Sequence, residues 1–207
     1  EYGIMIFADE IYDRLVMDGL EHVSVASLAE DIPVVTMNGL SKSHFLCGYR
    51  CGWMVMSGPK NLTEDYRQGI VQLTSMRLCA NALAQIVIPA ALEDMETPFS
   101  MVKPGGRIYE QREVAVGELE KIDGLSFVKN NSAFYIFPKL DVKKFHITDD
   151  KQFARELLHE TNILIVPGSG FDWNCPDHFR IVLLPEAGVL RDAIKCMGKF
   201  LDGYRQR

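Results

Sequence analysis

Lys42 and Arg50 are the residues whose types and spacing point most directly to chemistry. They lie eight apart in the stretch Asn38-Gly39-Leu40-Ser41-Lys42-Ser43-His44-Phe45-Leu46-Cys47-Gly48-Tyr49-Arg50-Cys51-Gly52-Trp53. An apolar run over 32–37 leads into the stretch and another over 53–56 leads out. Short apolar runs bounded by Gly and Ser read as buried strands, so the lysine and the arginine share one loop between two strands. The glycines keep side chains away from whatever that loop cradles. A lysine in an enclosed place can shed its proton and act as an amine nucleophile. An arginine nearby offers a fixed fork of donors suited to a phosphate. A small molecule with both an aldehyde and a phosphate would need this pair, and pyridoxal 5'-phosphate is one.

Three further side chains stand where strands are expected to end or to line a site. The run over 3–8 reads as a buried parallel strand that stops at Asp9, with Tyr12 three residues on. Ligands of open α/β sheets collect beyond the carboxyl ends of the strands. Alone, Asp9 would read as a helix cap or turn residue; beside the lysine segment it reads as a functional carboxylate. Arg180 sits in an apolar run over 179–183, with Pro167-Gly168-Ser169-Gly170 before it. Alone, it would read as half of a structural ion pair. His44, Cys47 and Cys51 lack the CxxC spacing of zinc sites, and the five histidines show no spacing for a metal or a triad.

These blocks resemble the class I/II (fold-type I) pyridoxal-phosphate-dependent aminotransferases. Asn38-Gly39-Leu40-Ser41-Lys42 followed by Arg50 resembles their lysine segment, and Asp9-Glu10-Ile11-Tyr12 their strand-end D-x-x-Y. Val166-Pro167-Gly168-Ser169-Gly170-Phe171 and Asp177-His178-Phe179-Arg180-Ile181 resemble their carboxylate-binding region. The bacterial alanine aminotransferases are the most similar branch, and the blocks keep the family's order over nearly the whole chain. The resemblance implies that Lys42 bonds the cofactor aldehyde and shuttles the substrate proton. Asp9 would keep the ring nitrogen protonated, and Tyr12 would donate to the phenolic oxygen. Arg50, with Ser41 in support, would grip the phosphate, and Arg180 would pair with the substrate's α-carboxylate. Gly39 departs from the pattern, because many members have a serine there as a phosphate contact; Phe45 and Cys51 are also unusual.

The elements that must position these residues follow the same order. After an irregular region over 13–31, Pro59 opens a helix at its first turn, a second helix covers 81–95, and Pro98 and Pro104-Gly105-Gly106 break the chain. A helix over 107–122 offers Ile108, Val114, Val116 and Leu119 to a core. Then come strands over 126–128 and 133–137, a helix over 150–161, strands over 163–166 and 179–183, and a last helix over 186–204. Paired strands followed by strands alternating with helices suggest a small α+β domain. The expected class is α/β: residues 1–103 as the C-terminal part of a cofactor-binding large domain with a mostly parallel sheet, residues 104–207 as a linking helix and a smaller α+β domain.

With 207 residues, 47% hydrophobic and 24% charged, the chain has ordinary globular composition. Its net charge of -6 argues against a nucleic-acid or anionic-membrane surface, and no apolar run approaches a bilayer span. Five scattered cysteines read as reduced residues of a cytoplasmic protein. The chain starts in mid-pattern at Glu1, the expectation being a C-terminal portion of a longer, homodimeric parent. The implied reaction is transamination between an amino acid, alanine in the first instance, and a 2-oxo acid such as 2-oxoglutarate, with this portion inactive alone. Open beside it stand a C–S lyase or another transaminase on the same scaffold, the effector domain of a cofactor-binding transcriptional regulator, and a purely structural fragment.

Overall fold

The computed structural model describes residues 3–207, so the expectation attached to the start at Glu1 lies outside the described residues. The chain divides into two compact units, Glu1–Ser100 and Met101–Arg207.

The first unit is built on a three-stranded sheet, β1 (Ile6–Asp9), β2 (Val34–Gly39) and β3 (Gly52–Ser57), in that spatial order. Between β1 and β2 a one-turn helix, α1 (Val25–Leu28), interrupts the expected irregular region. A second, α2 (Leu40–Ser43), follows β2 directly. The strands β1 and β2 run parallel, while β2 and β3 run antiparallel, so this unit carries a mixed portion of the expected mostly parallel sheet. Ala8, Ala29 and Val34 form a buried cluster, with Ile6, Val25 and Ile32 packed on it. The first strand begins at Ile6 rather than at residue 3, because Gly3 has a left-handed backbone and Ile4 is exposed.

Two long helices complete this unit, α3 (Lys60–Arg77) and α4 (Ala82–Glu93). Pro59 is the N-cap of α3, one residue ahead of the expected first-turn position, and the Asn81 side chain caps α4 by accepting from the Ala84 N–H. Pro98 does not break the chain; it lies in the first turn of α5 (Glu96–Val102). A proline there loses only an N–H that has no intrahelical partner anyway, and Asp94 Oδ1 accepts the Thr97 N–H at 3.0 Å to start the helix.

The second unit opens with α6 (Arg107–Leu119), where Ile108, Val116 and Leu119 are buried as expected and Val114 only partly. There follow β4 (Leu125–Ser126), β5 (Tyr135–Ile136), β6 (Lys139–Leu140), α7 (Val142–Phe145), α8 (Asp150–Thr161), β7 (Val166–Pro167), β8 (Phe179–Val182) and α9 (Ala187–Gly203). The expected strand over 126–128 is shorter and one residue earlier: Val128 is 88% exposed and cannot belong to a packed strand. The strand expected over 163–166 reduces to Val166–Pro167, and that over 133–137 to Tyr135–Ile136. The pair β6 and α7 carried no clear sequence period. In the sheet β5-β8-β7 both pairings are antiparallel. Along β8, Phe179 and Ile181 point inward while Arg180 and Val182 stay half-buried, the alternation of a strand with one covered face. Phe153, Leu157, Phe179, Leu190, Ile194 and Leu201 fill the core between this sheet, α8 and α9.

Candidate active site

The parallel register places Asp9 opposite Met37, so β1 ends beside the strand that leads to Lys42. The Glu10 N–H donates to the Met37 carbonyl at 2.9 Å and prolongs the ladder by one step. Beyond it the chain turns. Asp9 is exposed, its Oδ1 accepting the Ile11 N–H at 3.2 Å, and Tyr12 is half-buried in the turn. Ile11 reaches back to Gly39: a Cβ built on that glycine would stand 3.5 Å from Ile11 Cδ1.

The lysine segment folds into the single turn of α2. Leu40 and Ser43 are buried, while Ser41 and Lys42 are half-exposed. The chain then passes through a 3-10 turn, Cys47–Tyr49, to Arg50, which takes a left-handed conformation (φ 53°) and is exposed. Arg50 Nη1 donates to the Cys47 carbonyl at 2.9 Å. Gly39 and Gly52 face each other at the end of the β2–β3 ladder. A Cβ on Gly39 would lie 2.9 Å from the Cys51 carbonyl oxygen, and one on Gly52 2.8 Å from that of Asn38. These glycines are therefore demanded by the close approach of two backbones. That gives a physical reason for glycine at both positions.

Two residues that the sequence left without a role join the two turns. Arg14, two residues after Tyr12, donates to the carbonyls of Ala91 (3.1 Å), Leu92 (3.1 Å) and Asp94 (3.4 Å) at the end of α4. His44, two residues after Lys42, bonds through Nε2 to the same Asp94 carbonyl at 3.2 Å. A carbonyl only accepts, so Nε2 carries a proton, and Nδ1 shares a hydrogen bond with Ser43 Oγ at 2.9 Å. The unpaired carbonyls of a helix C-terminus are natural partners for such cations and donors. The Asp9–Tyr12 turn and the Lys42 turn are thus both tied to the end of one helix. The sequence signal for this was weak: a basic residue and a histidine, each more than 45 residues from its partner.

Glu10 is a third unforeseen residue. It is buried, with Oε1 accepting from Ser24 Oγ (3.0 Å) and the Val25 N–H (2.8 Å), and Oε2 meeting His22 Nε2 (3.0 Å). Burial pushes its carboxyl up, but the hydrogen bonds from His22, Val25 and Ser24 outweigh that and hold it below the usual carboxylate range.

Arg180 stands in the second unit, on β8. Among the described residues it has no ion pair. Its guanidinium lies over two rings, with Cζ 4.5 Å from the centroid of Tyr135 and 4.6 Å from that of Phe171. Among the described residues its buried Nε has no hydrogen-bond partner.

The first unit's donor set suits a molecule with an aldehyde, a phosphate and a basic ring nitrogen. It offers an amine on α2, an exposed arginine with unspent donors, a hydroxyl at Ser41 and an exposed carboxylate at the strand end. Among the described residues no group of three or more His, Cys, Asp or Glu side chains could hold a metal ion, and no helix is long and apolar enough to cross a membrane.

The sequence model described as aminotransferase class I and II matches residues 1–194. A glutamate-pyruvate aminotransferase AlaA of Haemophilus influenzae is 46% identical over 204 residues, 99% of this chain and 50% of the relative. An alanine aminotransferase of Mycobacterium tuberculosis is 43% identical over all of this chain and 48% of its own length. Among solved structures, an aminotransferase from Escherichia coli superposes with a TM-score of 0.96 at 44% identity, covering 100% of this chain and 51% of that one. An alanine aminotransferase from Pyrococcus furiosus gives 0.90 at 38% identity, covering 97% and 50%. The chain spans about half the length of the curated relatives it matches.

Proposed function

This chain belongs to the class I and II aminotransferase family, and on that premise we propose that it carries the lysine half of a pyridoxal-phosphate transaminase acting on alanine and 2-oxoglutarate. The observation that carries the reading is the convergence of the Asp9–Tyr12 and Lys42 turns at the carboxyl end of β1, both held by the Asp94 carbonyl. The names of the relatives, glutamate-pyruvate and alanine aminotransferase, support the choice of substrates.

When bound, the cofactor supplies an electron sink that lets the Cα–H bond of an amino acid break. The chain's own residues do the rest. Lys42 Nζ would hold the cofactor's aldehyde end and, when free, would be the base that accepts the proton from the substrate Cα. The Asp9 carboxylate holds the proton on the ring nitrogen, because an adjacent negative charge favours the charged form. The Tyr12 hydroxyl donates to the phenolic oxygen. Arg50 and Ser41 bind the phosphate, and Arg180 receives the α-carboxylate of each substrate. In this reading residues 1–103 belong to the cofactor-binding domain and residues 104–207 to a linking helix and a small domain of a homodimeric parent. The five free cysteines fit a cytoplasmic setting.

Borohydride reduction of the full-length protein loaded with pyridoxal phosphate tests the assignment. The label is expected on the peptide containing Lys42, and a label on Lys60 or Lys103 overturns it. An assay across amino donors then tests alanine against its competitors.

A further inference from the structure

Arg180 is fixed by faces rather than by charges. Its cation lies over the rings of Tyr135 and Phe171, and among the described residues its buried Nε has no acceptor and no ion pair joins it to an acidic side chain. A buried donor left unsatisfied is costly, and a guanidinium packed against rings and short of acceptors gains from a bidentate carboxylate. An acidic partner in the protein would fix the arginine equally well, but it would occupy the donors and compete with an incoming carboxylate. Aromatic faces hold the plane and consume no donor.

We infer that Tyr135 and Phe171 are positioning residues that make Arg180 a carboxylate receptor, holding the guanidinium plane while leaving its donor edge for the ligand. The inference rests on the reading of Arg180 as the residue that receives the substrate carboxylate.

Both rings are themselves braced. Tyr135 lies on β5, paired with Val182, so its backbone is locked to the strand that carries Arg180. Phe171 closes the 3-10 turn Gly168–Phe171, which is pinned at its start. The buried Asp150 accepts from Ser169 N–H (2.7 Å) and Ser169 Oγ (2.9 Å), and the Gly168 N–H donates to the His178 carbonyl (2.8 Å). A Cβ on Gly168 would stand 2.9 Å from that carbonyl oxygen, so only glycine lets the turn approach β8 this closely. On its far side Phe171 meets the edge of Phe137 (6.2 Å between centroids), and Phe137 stacks on His178 (4.9 Å). Asp177 anchors this cluster by accepting from His178 Nδ1 (2.6 Å) and Trp173 Nε1 (2.9 Å).

Nitrogen-edited NMR of the arginine Nε–Hε group in the full 207-residue chain, titrated with pyruvate, tests the inference without any cofactor. In the unaltered protein the Arg180 Hε resonance is expected upfield, shielded by two rings, and to shift saturably as pyruvate binds. Phe171→Leu and Tyr135→Leu should abolish much of the shielding and weaken pyruvate roughly five- to thirtyfold, the effect of losing one cation–ring contact. Phe171→Tyr and Tyr135→Phe should restore both. If a leucine variant unfolds, Phe171→Met keeps the volume, removes the ring face and is expected to behave as the leucine variant should. Arg180→Lys separates the two claims. If it binds pyruvate like the parent, the reading of Arg180 falls and the inference with it. If it loses binding while the leucine variants keep full affinity and an unmoved Arg180 signal, the inference alone is overturned. An Arg180 signal that never responds to pyruvate in the unaltered protein also overturns it.

Discussion

Asp9 and Asp13 share one turn, yet their surroundings assign them different work. Asp9 stands exposed where β1 ends beside β2. Asp13 turns its Oδ1 onto the adjacent Arg14 N–H at 2.8 Å and belongs to the arm that grips the end of α4. In the full-length protein, Asp9→Ala should therefore slow transamination by roughly 10²–10⁴-fold, the range for losing a group that sets a protonation state in the transition state. Asp13→Ala should cost only a few-fold. Steady-state rates with alanine and 2-oxoglutarate check this, and equal, modest losses from both would show that neither carboxylate meets the ring nitrogen.

At the scale of elements, the strand ends and caps set what the site can tolerate. Gly58, just past β3, has φ +99°, and a Cβ there would lie 2.3 Å from the Ile32 carbonyl oxygen. Gly58→Ala should destabilise the first unit by about 2–4 kcal/mol, the left-handed penalty plus the clash. Gly69→Ala, on α3 with open space around it, should stabilise by about 0.5–1 kcal/mol. Urea unfolding of the two variants separates these outcomes. Glu10 adds a pH dependence, because it caps α1 through the Val25 N–H. Its folded pKa lies below its ordinary value of 4.5, so its contribution is present above that value and is lost as pH falls through the folded pKa. Glu10→Gln should be less stable than the parent at neutral pH, with a flatter loss of stability below about pH 4.5. Thermal unfolding between pH 3 and 7 measures both (a window chosen around the ordinary carboxylate range).

For the whole molecule the exposed apolar surface of the first unit is decisive. No residue of α3 is buried, and Leu73, Met76, Leu83 and Ile86 are more than half exposed, as is Val55 on β3. The sheet also leaves both β1 and β3 with one unpaired side among the described residues. Such faces and edges favour association. The chain alone should self-associate in sedimentation experiments, and a Leu83→Glu, Ile86→Glu double variant should shift it toward monomer. It should bind pyridoxal phosphate weakly and show no alanine turnover, since Asp9 and Arg50 are open to water, where charge pairs weaken. Tight cofactor binding with measurable turnover would show that the half of the relatives' length not represented here matters little to the site.

The features legible in the chain alone are those fixed within a few residues of their cause. Asp149 ahead of an amphipathic run set α8 at Asp150–Thr161, as expected, and the apolar runs around Asn38 and Trp53 placed β2 and β3 within two residues. The motif blocks around Asp9, Lys42, Arg50 and Arg180 were legible because their spacings lie within one segment each. Tertiary structure alone decided the rest. The antiparallel seating of β3 and the close backbone approach at Gly39 and Gly52 depend on pairing between strands. Arg14 and His44 meet the end of α4 across 50 to 80 positions of chain, and no local period records such a partner. Proline 98 reads as a breaker until Asp94 is seen to start a new helix around it. Arg180 reads as half of an ion pair until its guanidinium is seen over the rings of Tyr135 and Phe171, 45 and nine residues away. Sequence names the reactive groups; only the packed chain shows which of their donors are already spent.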